Sequence, residues 1–408
     1  MARGVASGIR ASQLPVPLTI VRGEKAHLFD IDGNRYLDFA LAYGPALLGH
    51  SPRPVLEAVR RQLDSGLGFG ASHSLETELS EAVVRTVPSA ESCVFSTTGS
   101  EAVLAALRIA RSATGRSRVI KFQGHFHGWP DPLAIGTPGM TGAEPASAGQ
   151  DPKASSETIV CRWNDLVDLR AALNDDVAAI IMEPAACNGG AFEPRPGYLR
   201  KVKELARSNG SVLIFDEVIT GYRLALGGAQ ERYGILPDLT VLGKALGGGL
   251  PISCVAGKSE LMAEVASGRV SHLGTFNCHP VTAAAAAAAL ATYESEADTI
   301  YPSLEKTGRA LAEILRREAA DVGLPLIVNQ IGAAGYALWS EQPVSSHSDL
   351  AAADSDDYRQ FARALLDEGV NVIPRGLLYV STEHGDAELE EAEVAIRRAC
   401  RRVADRRS

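Results

Sequence analysis

Residues 212–253 read VLIFDEVITGYRLALGGAQERYGILPDLTVLGKALGGGLPIS. Two short aliphatic runs, Val212–Asp216 and Leu239–Leu242, flank a stretch rich in turn and helix formers. Short apolar runs bounded by Gly, Pro and Asp read as strands buried on both faces. The first run ends in Asp216 and Glu217, the second in Gly243 and Lys244. A carboxylate at a buried strand end needs a cation or N–H partner, because an unpaired buried charge is costly. Taken alone, Asp216 reads equally as half of a salt bridge or as a helix cap. Lys244 reads equally as a surface or phosphate-binding lysine. As neighbours they mark a site.

The same grammar extends outward in both directions. Strands are predicted at Cys93–Ser96, Val119–Phe122, Val177–Met182 and Ile252–Gly257. Helices are predicted at Glu101–Ala113, Leu166–Leu173, Tyr198–Ser208 and Leu261–Ala266. Strands alternating with helices imply right-handed crossovers, an α/β class and a mostly parallel central sheet flanked by helices. In such sheets ligands bind beyond the carboxyl ends of the strands. The flanks differ. Asp32-Gly33-Asn34-Arg35 separates His27–Ile31 from Tyr36–Phe39 and predicts a β-hairpin. From about Ser303 the order helix, two strands, helix, two strands, helix predicts a small α+β domain. The expected division is an N-terminal segment (1–50) feeding the small domain and the site mouth, a large domain (51–295) and a C-terminal small domain (296–408). Gly136–Ser156, rich in Pro, Gly, Ser and Thr, predicts a long loop of the kind used as a lid.

Composition removes several function classes. The 408 residues carry 40 Lys plus Arg against 49 Asp plus Glu, a net charge of −9, so the basic footprint of a nucleic-acid or membrane-surface binder is absent. No apolar run is long enough for a membrane span, and Met1–Leu14 lacks the apolar core of a secretory leader. Six scattered cysteines without a C-x-x-C pair predict reduced thiols and a cytoplasmic setting. The arginines ending the last helix complement its dipole and predict a solvated helix end.

Four strand ends carry chemistry. Thr97-Thr98-Gly99-Ser100-Glu101 follows a strand and opens a helix, where backbone N–H groups and hydroxyls suit a phosphate. Gly124-His125-Phe126-His127-Gly128 supplies a flat face; its histidines lack a third ligand, so no metal site is expected. Asp216 and Lys244 complete the set. A phosphate seat, an aromatic face, a carboxylate and a lysine at strand ends together suit pyridoxal 5'-phosphate. The lysine forms a Schiff base, and the carboxylate keeps the ring nitrogen protonated.

At these residues the sequence resembles the class III, fold type I aminotransferases, most nearly their glutamate-1-semialdehyde 2,1-aminomutase group. The resemblance runs from about Ile9 to the last helix. It is carried by Phe95-Ser-Thr-Thr-Gly-Ser-Glu101, Phe126-His-Gly128, Glu183-Pro184 with Asn188-Gly189, Asp216-Glu-Val-Ile-Thr-Gly-Tyr-Arg223, Gly243-Lys244-Ala-Leu-Gly-Gly-Gly-Leu-Pro251 and Gly274-Thr275-Phe276. It implies that Lys244 is the Schiff-base lysine and acid/base. Asp216 would hold the pyridinium nitrogen, with Val218 on one ring face and Phe126 on the other. His127 would join the ring contacts, and Glu183 and Asn188 would lie near the ring hydroxyl, although an acid ending a strand also reads as a structural pair. Thr98, Gly99 and Ser100 would take the phosphate. Thr275 would reach the neighbouring subunit's phosphate, since family sites lie at a homodimer interface.

For the substrate, Ser7-Gly8-Ile9-Arg10 resembles the aminomutase segment that offers an arginine to a carboxylate, whose two oxygens match the guanidinium fork. Tyr43 falls where the family places an aromatic at the pocket mouth. Val372-Ile-Pro-Arg375-Gly-Leu-Leu-Tyr379 departs from the aminomutase pattern, and Arg375 resembles the carboxylate clamp of β-amino-acid aminotransferases. The expected function is amino transfer between a small amino acid and a keto or aldehyde acceptor by a ping-pong mechanism. The alternatives are intramolecular transfer of the aminomutase type and a racemase or epimerase. A Rossmann dehydrogenase is disfavoured by the lack of G-x-G-x-x-G after the first strand.

Overall fold

The computed structural model describes the chain except residues 2, 3, 13–15, 141, 352 and 408. Parts of the Met1–Leu14 stretch and Thr141 of the 136–156 loop therefore lie outside the described residues. The chain forms two compact units: residues 1–52 with 302–408, and residues 53–301.

The strands in chain order are β1 (Ile20–Glu24), β2 (His27–Asp30), β3 (Arg35–Asp38), β4 (Ser92–Ser96), β5 (Arg118–Phe122), β6 (Thr158–Cys161) and β7 (Val177–Met182). There follow β8 (Val212–Glu217), β9 (Leu239–Leu242), β10 (Ser253–Gly257), β11 (Leu326–Ile331), β12 (Ala334–Trp339), β13 (Val370–Asn371) and β14 (Leu377–Tyr379).

The larger unit is built on a seven-stranded sheet in the order β4-β10-β9-β8-β7-β5-β6. Strands β5 to β9 pair in parallel, and β10 runs antiparallel to both β4 and β9. The parallel strands read as continuous aliphatic runs because helices cover both faces: every residue of β7, β8 and β9 is buried. Helix Gly99–Thr114 packs Val103, Leu107 and Ile109 against Ile181, Ile214 and Val241 on one face. Helix Tyr198–Asn209 places Leu199 and Val202 with Ile180, Leu213 and Phe215 on the other. Fully burying such a side chain stabilises the fold by ~1.5–3 kcal/mol. The β6 edge strand has a weak sequence signal, because its short apolar pair Ile159-Val160 sits directly behind a polar loop.

The register places the site. Asp216 pairs with Val241 and Glu217 with Leu242, so the acids of β8 and the Gly243-Lys244 turn after β9 lie at adjacent strand ends. The alanine-rich helix Pro280–Ser295 supports that turn. Its Tyr293 hydroxyl donates to the Ala245 carbonyl (3.0 Å), and a Cβ on Gly248 would meet Ala289 Cβ at 3.1 Å. Small residues on both sides let helix and turn backbone approach, which gives the high Ala and Gly content a structural use.

The smaller unit draws on both chain ends. Its four-stranded sheet has the order β1-β2-β3-β13, with β13 parallel to β3. The hairpin turn forms around Asp30, whose carboxylate accepts from the Asp32 and Asn34 N–H groups and from the Tyr36 hydroxyl. A three-stranded sheet, β11-β12-β14, completes the unit. All six cysteines are free, and no helix among the described residues is long and apolar enough to cross a membrane.

Candidate active site

Asp216 closes β8 and is buried. Its Oδ1 accepts from the Val218 N–H (3.1 Å), and its Oδ2 lies 2.7 Å from His127 Nδ1. Burial pushes its carboxyl up to about 7, while the nearby Lys244 and Lys121 cations pull the other way. His127 is fully buried, and burial holds it well below the ordinary histidine value. With Asp216 ionised, His127 Nδ1–H donates to it, and Nε2 has no hydrogen-bond partner among the described residues.

Glu183 closes β7. One carboxylate oxygen accepts from the Phe126 N–H (2.8 Å) and the Asn188 side-chain amide (3.0 Å); the other accepts from the Asn188 N–H (3.0 Å). Its own N–H donates to His125 Nδ1 (3.0 Å), and burial raises its carboxyl to about 7. Glu183 thus ties the loops after β5 and β7 together, placing Phe126 and Asn188. Phe126 is 45% exposed although its neighbours His125 and His127 are fully buried.

Thr98 caps helix Gly99–Thr114 in a capping box with Glu101, and Glu101 also accepts from the Thr97 and Thr98 N–H groups. The Ser253 hydroxyl fixes the Thr98 carbonyl at 2.7 Å. A Cβ on Gly99 would sit 3.2 Å from Val218 Cγ2, and one on Gly243 would sit 3.4 Å from Val218 Cγ1. Val218 therefore presents its methyls between two backbone segments that lack side chains. At Gly128, φ is +79° and a Cβ would fall 2.2 Å from Ser100 Oγ. Gly128→Ala is expected to destabilise the protein by about 1–3 kcal/mol through the left-handed φ and that clash. It should also loosen the helix start, read as a lower melting temperature together with weaker cofactor retention.

Lys244 is half-buried and has φ +47°, a left-handed conformation unusual for a residue with a side chain. The glycine on its N-terminal side and the Tyr293 bond to Ala245 hold that geometry. Glu217, adjacent to Asp216, serves the fold. Its buried carboxylate accepts from the Thr220 hydroxyl and from the N–H groups of Ala229 and Gln230.

Thr275 lies in an exposed stretch between Leu273 (90% exposed) and Phe276 (64%). Arg10, Tyr43 and Arg375 belong to the smaller unit. There Tyr43 follows two further non-glycine residues with positive φ, Leu41 and Ala42, and its hydroxyl donates to the Ile9 carbonyl (3.2 Å), bringing the Arg10 segment to it. Arg10 and Arg375 are exposed. Sequence reasoning missed Lys121, a lysine within the apolar run Val-Ile-Lys-Phe, and the bracing by Ser253 and His125.

A class III aminotransferase family signature matches residues 9–384. The chain belongs to the class III aminotransferases. Among curated relatives, a glutamate-1-semialdehyde 2,1-aminomutase from Desulfitobacterium hafniense is 40% identical over 397 residues, covering 95% of this chain and 92% of its own. An omega-transaminase from Sphaerobacter thermophilus superposes with TM-score 0.91 at 30% identity, over 98% of this chain and 95% of the other. A transaminase solved with pyridoxal phosphate bound superposes with TM-score 0.92 at 25% identity, over 100% of this chain and 97% of the other. The fold is fold type I, and the cofactor is pyridoxal 5'-phosphate.

The class III site here fits that group on its own chemistry. A planar ring needs flat apolar faces, which Val218 between two glycines and the exposed Phe126 ring offer. Its nitrogen needs a buried carboxylate partner, which Asp216 offers.

Proposed function

We propose that the protein is an aminotransferase that moves an amino group between a small amino acid and a separate keto or aldehyde acceptor. Bound pyridoxal phosphate supplies an aldehyde carbon that takes up the amine and a ring that withdraws electrons from the deprotonated substrate carbon. Gly99 and Ser100, with Thr98, hold the phosphate at the helix start, and Thr275 serves the site of a second copy. Asp216 accepts the ring N–H, and His127 holds the Asp216 carboxylate in line. Val218 and Phe126 would pack on the two ring faces and shield them from water, while Asn188, placed by Glu183, would meet the ring edge. Lys244 Nζ carries the cofactor, then takes a proton from the substrate's amino-bearing carbon and returns it on the product side. Arg10 and Arg375 bind the substrate carboxylate, with Tyr43 at the mouth. Donor and acceptor use the site in turn, which gives ping-pong kinetics.

The observation that carries transfer between molecules is the segment after β5. Residues 142–149 are exposed, and the neighbouring bonds run back to the segment's own base: Ala146 N–H to the Ala134 carbonyl, and the Gln150 amide to the Ala134 carbonyl. An aminomutase must retain its half-reacted substrate behind a closing lid. Fastening to its own stem supports a segment that stays open, through which the keto product would leave. The second reading, intramolecular transfer, is favoured by the name of the 40%-identical relative.

A donor and acceptor panel separates them. Product formation from an amino acid only when a keto acid is added is the expected result. Conversion of glutamate-1-semialdehyde without any acceptor would establish the mutase instead. A homodimer is part of the proposal: Trp129 (81% exposed), Leu273 and Phe276 are large apolar side chains that the larger unit leaves exposed, as an interface with a second copy would use. The free thiols support a cytoplasmic setting.

A further inference from the structure

Lys121 lies on β5 with its side chain fully buried. Its Nζ donates to three carbonyl oxygens, of His125 (3.1 Å), Leu133 (3.0 Å) and Ile135 (2.6 Å). An ammonium has three N–H donors and a neutral amine has two, so three acceptors match the charged form. Burial pulls the group down to about 7, and the Glu183 and Asp216 carboxylates oppose that pull. A methionine would fill similar space without desolvating a charge. The lysine must therefore do something that an apolar residue would not.

Its three acceptors bracket one segment. His125 stands at the start of 125–135, and Leu133 and Ile135 stand at its end. Between them lie Phe126, whose N–H meets Glu183, His127, which meets Asp216, and Gly128, whose backbone backs Ser100. Glu183 holds the start of this segment at His125 and Phe126, the Gly124 N–H donates to the Gly136 carbonyl across its base, and the Thr158 hydroxyl donates to the Pro132 carbonyl. The Lys121 ammonium adds a buried charge that joins its two ends.

We propose that Lys121 is a positioning residue for the cofactor ring: by closing the 125–135 segment it sets Phe126 against the ring face and His127 against Asp216. The proposal goes beyond the choice of reaction, because transfer between molecules and transfer within one need the same ring seat. It depends on the roles given above to Phe126 and His127.

The test is cofactor retention. Holoenzyme of wild type, Lys121→Met and Lys121→Gln is diluted, and the fraction of cofactor retained gives its Kd. Inorganic phosphate, added as competitor, reports the phosphate seat alone. Lys121→Met is expected to raise the cofactor Kd by about tenfold to a hundredfold, the range typical when an outer partner of a bound group is lost. The phosphate constant should change several-fold less than the cofactor's, because the Thr98–Glu101 capping box holds the helix start and the 125–135 segment meets it only where Gly128 backs Ser100. Lys121→Gln keeps two N–H donors and should fall between. In a His127→Leu background, Lys121→Met should cost less than in the wild-type protein, since its route through His127 is gone and only that through Phe126 remains.

An unchanged cofactor Kd would overturn the proposal. So would equal weakening of cofactor and phosphate, or full additivity with His127→Leu. Failure of both Lys121 variants to fold would also overturn it, since Lys121 would then serve the fold and not the ring seat. Loss of retention in Phe126→Ala with no effect of Lys121→Met would leave the ring site standing and remove Lys121 from it.

Discussion

Lys244→Ala is expected to abolish turnover, with a fall of about 10⁴-fold or more, the upper end of what one positioned acid/base contributes. The visible absorbance of the lysine-bound cofactor should vanish with it. The magnitude follows from position. Lys244 follows the buried strand β9 after one glycine, its backbone lies in a left-handed conformation, and the Ala245 carbonyl beside it is pinned by Tyr293. Such a conformation costs of order 1–3 kcal/mol and persists only where its surroundings impose it. Lys244→Arg should not restore activity, because a guanidinium keeps its proton and cannot alternate as acid and base. Melting temperatures within a few degrees of wild type would show that chemistry was lost and the fold was not. Turnover above a hundredth of wild type in either variant would remove Lys244 from the reaction.

Much of this was legible because the strands are aliphatic runs ending in chemistry. Val212–Glu217 and Leu239–Leu242 announce their burial by composition, and the parallel order follows from the intervening helices. The Asp216 and Lys244 pairing was legible only as neighbours; the β8 to β9 register makes it physical. What sequence could not supply was partner choice across long separations. His127 looked like a ring contact and is bonded to Asp216, 89 residues away. Glu183 looked like a ring neighbour or a structural pair, and its carboxylate is spent on placing Phe126 and Asn188. Lys121 was invisible because one lysine in an apolar strand normally marks an edge or a solvent face. Only the fold shows three carbonyls converging on it.

Asp216→Asn is expected to lower kcat by about 10²–10³-fold, the scale of losing one preorganised electrostatic group. The substitution preserves shape. An asparagine oxygen can still accept from the Val218 N–H, so the β8 end should keep its path and the protein should keep most of its cofactor. What it loses is the negative charge that holds the ring N–H, and with it the pull on electrons left at the substrate carbon. The pH profile separates this from a general loosening. Burial raises the wild-type carboxyl to about 7 in the ligand-free protein, and a ring N–H partner favours the charged form, so the acid limb should lie below that value. Wild-type activity should therefore rise with pH through this limb as Asp216 ionises. The asparagine variant should lack the limb and run low and flat across the same range. A variant that kept the limb, or lost less than about tenfold in kcat, would move the electrostatic role away from Asp216. Because His127 is bonded to this carboxylate, His127→Leu in the Asp216→Asn background should then cost less than it does in the wild-type protein.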